Sequence, residues 1–270
     1  MRKNLSTKVL IIIFIIGLSL LLYPTVSNYW NSFTQSRAVA TYSKEVANLD
    51  NETYDKILKE AKHYNKTLRT NGNRFNPTEE EHEKYMKMLN ISGNGIMGYV
   101  EIKSIRCSLP IYHGIDDSIL QIATGHLEGS SLPVGGKSTH CVISGHRGLP
   151  SAKLFTDLDQ LVEGDTFVIR ILDEVLTYEV DQILTVEPQE VESLEIIPGK
   201  DYCTLVTCTP YGVNTHRLLI RGHRIPNAKD ARVTADALQI EPVIVAPFVA
   251  IPMLLTLLIV LLIKTRKKKE

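Results

Sequence analysis

One thiol, one imidazole and one guanidinium carry the chemistry that this sequence can do. Residues 201–222 read DYCTLVTCTPYGVNTHRLLIRG, which predicts a strand through Cys208, a loop containing Pro210 and Gly212, and a return strand starting near His216. Period-two alternation puts Thr204, Val206 and Cys208 on one face and Cys203, Leu205 and Thr207 on the other. Cys208 therefore ends its strand at a loop mouth. If the return strand pairs antiparallel, Arg217 stands almost opposite Cys208, where facing Cβ atoms lie about 4.5–5.5 Å apart. A cation at that range favours the thiolate over the thiol, whose ordinary pKa is about 8.5. The same guanidinium can donate to an oxyanion as a tetrahedral intermediate forms. A proton donor for the leaving group is offered by His146 in VISGHRG, where apolar Val142 and Ile143 give way to Ser144 and Gly145, so that the imidazole stands at another strand end. Cysteine, histidine and arginine then make a nucleophile, a general acid/base and an electrostatic stabiliser. Each has a plainer alternative: a cysteine in a strand is most often a small buried hydrophobe, a histidine beside glycine a turn residue, an arginine a solvated surface group. Alternation alone does not bring His146 to Cys208.

The elements that must hold these groups follow from pattern and composition. The chain has 270 residues, 44% of them hydrophobic, with 30 basic against 30 acidic side chains, which excludes a disordered tail and a strongly basic nucleic-acid binder. Four cysteines without a Cys-x-x-Cys spacing are too few for a disulfide scaffold. Hydrophobicity is concentrated at both ends. Residues 9–23 (VLIIIFIIGLSLLLY) follow Arg2, Lys3 and Lys8 and are stopped by Pro24. Residues 243–263 form a second apolar run, followed by Lys264, Arg266, Lys267, Lys268 and Lys269, and at roughly 1.5 Å per residue it is long enough to cross a hydrocarbon layer about 30 Å thick. Flanking cations favour the cytoplasmic side, so both termini are expected inside the cell membrane and the region between them outside. The first run is expected to stay as an anchor, because no small-x-small cleavage site follows closely.

Between the anchors, Tyr42, Val46 and Leu49, then Ile57, Ala61, Tyr64 and Leu68, recur at helical spacing, with a break at Asp50-Asn51. Two amphipathic helices are expected. From Gly98 the period changes to two, and residues 166–180 predict a hairpin turning near Asp173-Glu174. A small closed or nearly closed barrel is the natural architecture, since closure removes exposed edges. Cys107 and Cys203 sit in strand-like runs, and Cys141 stands beside His140 without further ligands at zinc spacing, so no metal site is assigned.

The sequence also resembles a known family. TLVTC at residues 204–208, Arg217 nine residues after Cys208, and SGHRG around His146 resemble the sortase signature; LPIYHG (109–114), GHLEGSSLPVGG (125–136) and VISGHRGLPSAKLFTDLDQLVEGD (142–165) extend the match. The run GHRGLPSAKLFTDLD and the basic C-terminal tail are most similar to the class C, pilus-assembling sortases. The resemblance implies a mostly β fold, a sortase-type closed barrel with N-terminal helices flanked by two transmembrane helices. It divides the chain into a basic tip and anchor (1–27), a helical region (28–97), a catalytic barrel (98–226), a linker (227–242), a second span (243–263) and a cytoplasmic tail (264–270).

It further implies a cysteine transpeptidase of a Gram-positive cell surface. Cys208 attacks the Thr–Gly carbonyl of an LPxTG-like sorting signal, His146 protonates the departing amine, Arg217 steadies the charged oxygen, and the acyl group passes to a lysine of the next pilin subunit. Thr207 matches the signature threonine and Asn214 lies in the intervening loop, so both are candidate substrate contacts, with cross-strand packing and a turn as their alternatives. The partners are pilins bearing the sorting signal and the membrane, with no nucleic acid; no cofactor is required. A housekeeping sortase acting on cell-wall peptide, a thiol peptidase transferring to water, and a noncatalytic peptide-binding module remain rival readings. Many pilus sortases carry an Asp-Pro-aromatic lid before the barrel; residues 68–98 hold no Asp-Pro, only Phe75-Asn76-Pro77. The cleft is therefore expected to be open or covered by another element.

Overall fold

A computed structural model describes residues 2–227; the expected linker, second span and basic tail lie outside the described residues. The described residues fall into two units, 2–30 and 31–227. The described part of the first unit is helical. It belongs to α1 (Arg2–Ala47), whose segment Thr7–Ala47 is long and apolar enough to cross a membrane. Pro24 does not stop this helix. A proline inside a helix forfeits one hydrogen bond and crowds the preceding turn, yet α1 continues through it, so Tyr42 and Val46 belong to the same helix as the apolar run rather than to a separate one.

The second unit is built around an eight-stranded barrel. Its helical part starts with residues 31–47 of α1, whose Tyr42 and Val46 are buried at the spacing that the sequence predicts. The Tyr42 hydroxyl donates to Met97 O at 2.7 Å and accepts from Leu172 N at 2.8 Å. Next come α2 (Asn51–Leu68) and α3 (Glu79–Lys87). Asp50 caps α2 by accepting from Thr53 N at 2.8 Å, and Thr78 with Glu81 forms a reciprocal capping box on α3. Each cap satisfies backbone donors that a first turn leaves unpaired.

The strands are β1 (Ile96–Ile102), β2 (Cys107–His113), β3 (Thr124–His126), β4 (Thr139–Gly145), β5 (Thr166–Ile171), β6 (Glu174–Val186), β7 (Asp201–Thr209) and β8 (His216–Ile225), with a short helix α4 (Asp117–Leu120) between β2 and β3. They close in the order β1-β2-β3-β4-β7-β8-β6-β5. The predicted hairpin is β5–β6, and it turns at Leu172-Asp173. The barrel interior is filled by side chains of alternating parity, among them Val100, Ile102, Ile111, Ile143, Leu205 and Ile220, all at most 0% exposed. Tyr85 of α3 reaches this core: its hydroxyl donates to His126 O at 3.0 Å and accepts from Gly114 N at 2.9 Å. That anchors the stretch just before α4.

Candidate active site

Two non-consecutive strands, β4 and β7, lie side by side and parallel, with Val142 opposite Thr204 and Ser144 opposite Val206. Their alternation sorts side chains cleanly. Cys141 and Ile143 of β4 share the interior cluster with Cys203 and Leu205 of β7, while Val142 and Val206 pack with Leu219 on the other face. One step beyond the last ladder pair, Thr207 Oγ1 donates to Gly145 O at 2.8 Å. His146 and Cys208 are the residues immediately following that bond on each strand. The β4–β7 pairing thus ends at both residues: His146 is the first residue past β4, while Cys208 stays in β7 and is paired only to β8. Gly145 is required here because a Cβ would come 2.7 Å from the Phe155 ring, and Phe155 N in turn donates to His146 O at 3.1 Å. The imidazole is part-exposed, and its Nε2 lies 3.3 Å from Asp117 Oδ1 of α4.

The antiparallel β7–β8 pair sets Cys208 directly opposite Arg217, as the alternation predicts. Both side chains are half-buried. The connecting loop folds on Pro210, whose carbonyl accepts from Val213 N at 3.1 Å and Asn214 N at 2.9 Å. Asn214 takes the left-handed conformation with φ +62°, which asparagine tolerates better than most residues. Its carbonyl accepts from Arg217 Nη1 at 3.4 Å, and His216 O accepts from the same nitrogen at 3.1 Å. Asn214 is therefore a turn residue that holds the guanidinium in place. Thr207 is 2% exposed, so its hydroxyl braces the His146 strand from within the barrel instead of facing the cleft.

The other sequence candidates separate by face. His140 and Cys141 are neighbours in sequence but point to opposite sides of β4. His140 contacts Thr204 Oγ1 at 2.7 Å and Glu195 O at 2.9 Å, and burial pushes its pKa down to about 4. Cys141 faces Cys203 across the ladder inside the barrel, where burial pushes the Cys203 thiol up. Burial likewise raises Cys107, to about 12.

What covers the outer face of this ladder was not legible in the sequence. Phe75 packs against the cluster of Val142, Val186, Leu194, Val206 and Leu219. Beside it, the buried Arg74 donates to Leu194 O at 3.2 Å, pairs with Glu195 at 3.3 Å and has its Cζ 4.5 Å over the Phe75 ring. The loop crosses Gly129 so closely that a Cβ there would meet Arg74 O at 2.1 Å. The apolar face formed by Val142, Val206 and Leu219 is thus covered by Phe75, with Arg74 beside it.

Comparison with known proteins agrees with this geometry. The Sortase domain model matches residues 100–225. The crystal structure of sortase C1 from Streptococcus agalactiae is 54% identical, covering 71% of this chain and 100% of that one at a TM-score of 0.69. The chain belongs to the sortase family. Sortase C-1 from Streptococcus pneumoniae is 47% identical over 71% of this sortase and 100% of its own chain, with a TM-score of 0.64. Sortase C1 of GBS Pilus Island 1 is 39% identical over 75% and 96% of the two chains, at 0.66. The structural neighbours are class C sortases, and the family's members are cysteine transpeptidases. Among curated relatives, Sortase A of Streptococcus agalactiae serotype III is 31% identical over 117 residues, 42% of this sortase and 47% of the relative. The match spans about half the length of such relatives.

Proposed function

We propose that this sortase is a membrane-tethered pilin transpeptidase with Cys208 as nucleophile, His146 as general acid/base and Arg217 as oxyanion donor. The observation that carries the reading is the joint exit of His146 and Cys208 from the β4–β7 ladder, with Arg217 facing the sulfur across β7–β8. Cys208 Sγ attacks the Thr–Gly carbonyl of an LPxTG-like signal. The C–S bond forms, the C–N bond breaks, and the glycine amine leaves with a proton from His146. Arg217 donates to the carbonyl oxygen while it carries negative charge. A lysine amine of the next pilin then attacks the thioester, and the thiol is released as the new amide forms. One amide replaces another, so the balance closes without nucleotide or metal.

A class C relative that belongs to a pilus island supports the choice of pilin as substrate. In the same reading, residues 98–226 are the catalytic domain on the outer surface, both termini are cytoplasmic, and 243–263 forms a second span. The decisive experiment incubates the full-length protein with a sorting-signal peptide, with and without a lysine amine acceptor. An acceptor-linked product is expected; cleavage to the free acid at the same rate in both arms would make the protein a peptidase instead.

A further inference from the structure

Beyond the Thr207–Gly145 bond the two loops that carry the site are no longer joined by sheet hydrogen bonds, yet one side chain bridges them. Tyr211, three residues after Cys208 on the β7–β8 loop, lies across the two residues that follow His146. Arg147 Cζ is 5.6 Å from the Tyr211 ring centroid. The Arg147 side chain is only 8% exposed and also pairs with Asp159. Gly148, at φ +75°, is the closest approach: a Cβ there would stand 3.0 Å from Tyr211 Cε2 and 3.2 Å from Cζ. A ring laid on a backbone with no side chain fixes a distance more tightly than one seated on flexible methylenes.

We propose that Tyr211 is a positioning residue that sets the separation of His146 from Cys208, acting through Arg147 and Gly148. Its ring face and edge make the contact, so the hydroxyl is dispensable. The consequence for turnover rests on the transpeptidase reading above; the consequence for the thiol does not.

The first test therefore needs no substrate. In the full-length protein, the rate of Cys208 alkylation by iodoacetamide, read at that residue by peptide mass, is compared across variants. Tyr211→Ala is expected to slow it about fivefold, Tyr211→Phe to stay within about twofold of the parent, and Tyr211→Ala to add nothing once His146→Ala is present, the signature of one residue acting through another. An effect of equal size in the His146→Ala background, or phenylalanine as slow as alanine, overturns the proposal. With a sorting peptide, Tyr211→Ala lowers kcat about tenfold at a KM within about twofold; a raised KM at unchanged kcat would make Tyr211 a substrate contact instead. Failure of the transpeptidase reading is seen separately, as no acyl adduct on the parent protein. If Tyr211→Ala melts below the assay temperature, Arg147→Lys, which keeps the charge but loses the planar face, carries the same expectations.

Discussion

The β4–β7 ladder holds His140, Cys141 and Cys203, and His146 and Cys208 lie just past its end; the two places treat the same residue types differently. At one end His140 is buried against Thr204 and Glu195, and Cys141 and Cys203 face each other inside the barrel. At the other, six residues further along β4 and five along β7, His146 and Cys208 stand where the sheet ends. Within β7, odd spacing moves the cysteine from the inner face at Cys203 to the outer face at Cys208, while His146 has passed the end of β4 altogether. The difference teaches that residue type alone assigns no chemistry here. Strand parity selects the face, and distance to the strand end selects between a satisfied structural group and an accessible reactive one.

Substitution at the cysteines breaks this comparison most sharply. Cys208→Ala should lower acyl transfer by about 10⁴-fold or more while leaving the melting temperature unchanged, since its side chain is half-buried at a rim. Measured product formation above about a hundredth of the parent rate would remove Cys208 from the mechanism. Across the rim, Arg217→Ala should cost about 10²–10³-fold in kcat, the usual penalty for one lost oxyanion donor, with Arg217→Lys recovering part of it. Single-turnover kinetics would check this, and a loss confined to KM would make Arg217 a substrate-binding group only.

The buried end should answer to pH and stability rather than to turnover. In the unfolded chain His140 titrates near 6.5, and burial lowers it to about 4 in the fold. Between those values the unfolded chain binds a proton that the native state does not, so stability is complete above the upper value and falls as pH drops through the window. The loss is at most about 3–4 kcal/mol, from about 1.4 kcal/mol per pKa unit over the shift from 6.5 to about 4. Urea unfolding from pH 7 to 4 should show this slope, and His140→Asn should flatten it; an equally steep slope in the variant assigns the acid loss to other groups. Smallest of all, Cys203→Ala removes one buried sulfur and should cost about 1–2 kcal/mol of stability, with the transfer rate preserved. A rate loss comparable to that of Cys208→Ala would erase the distinction between the two ends.

Much of the site was legible locally. Alternation in residues 201–222 was enough to pair Cys208 with Arg217, because a hairpin sets its own register across a short loop. The β5–β6 hairpin was likewise readable, its turn lying one residue earlier than the sequence suggests. The adjacency of β4 and β7 was not, since a parallel pair is joined by a long crossover, here residues 146–200, and nothing local encodes which strands meet. Only the likeness to the sortase signature brought His146 to Cys208. The continuity of α1 through Pro24 was also hidden, because a proline's local cost argues for a stop that the whole helix overrides. The sequence pointed to Phe75 only as the residue standing in for an absent Asp-Pro and did not mark Tyr211 at all: each looks like an ordinary aromatic in a loop, and its partners, Val206 for one and Gly148 for the other, lie far away in sequence.

The most direct test is to trap the acyl-enzyme with a sorting-signal peptide and map the thioester among the four cysteines. The account predicts an adduct on Cys208 that disappears in His146→Ala and leaves Cys107, Cys141 and Cys203 untouched. A thioester on any of those three, or one on Cys208 that forms at the parent rate without His146, would contradict it.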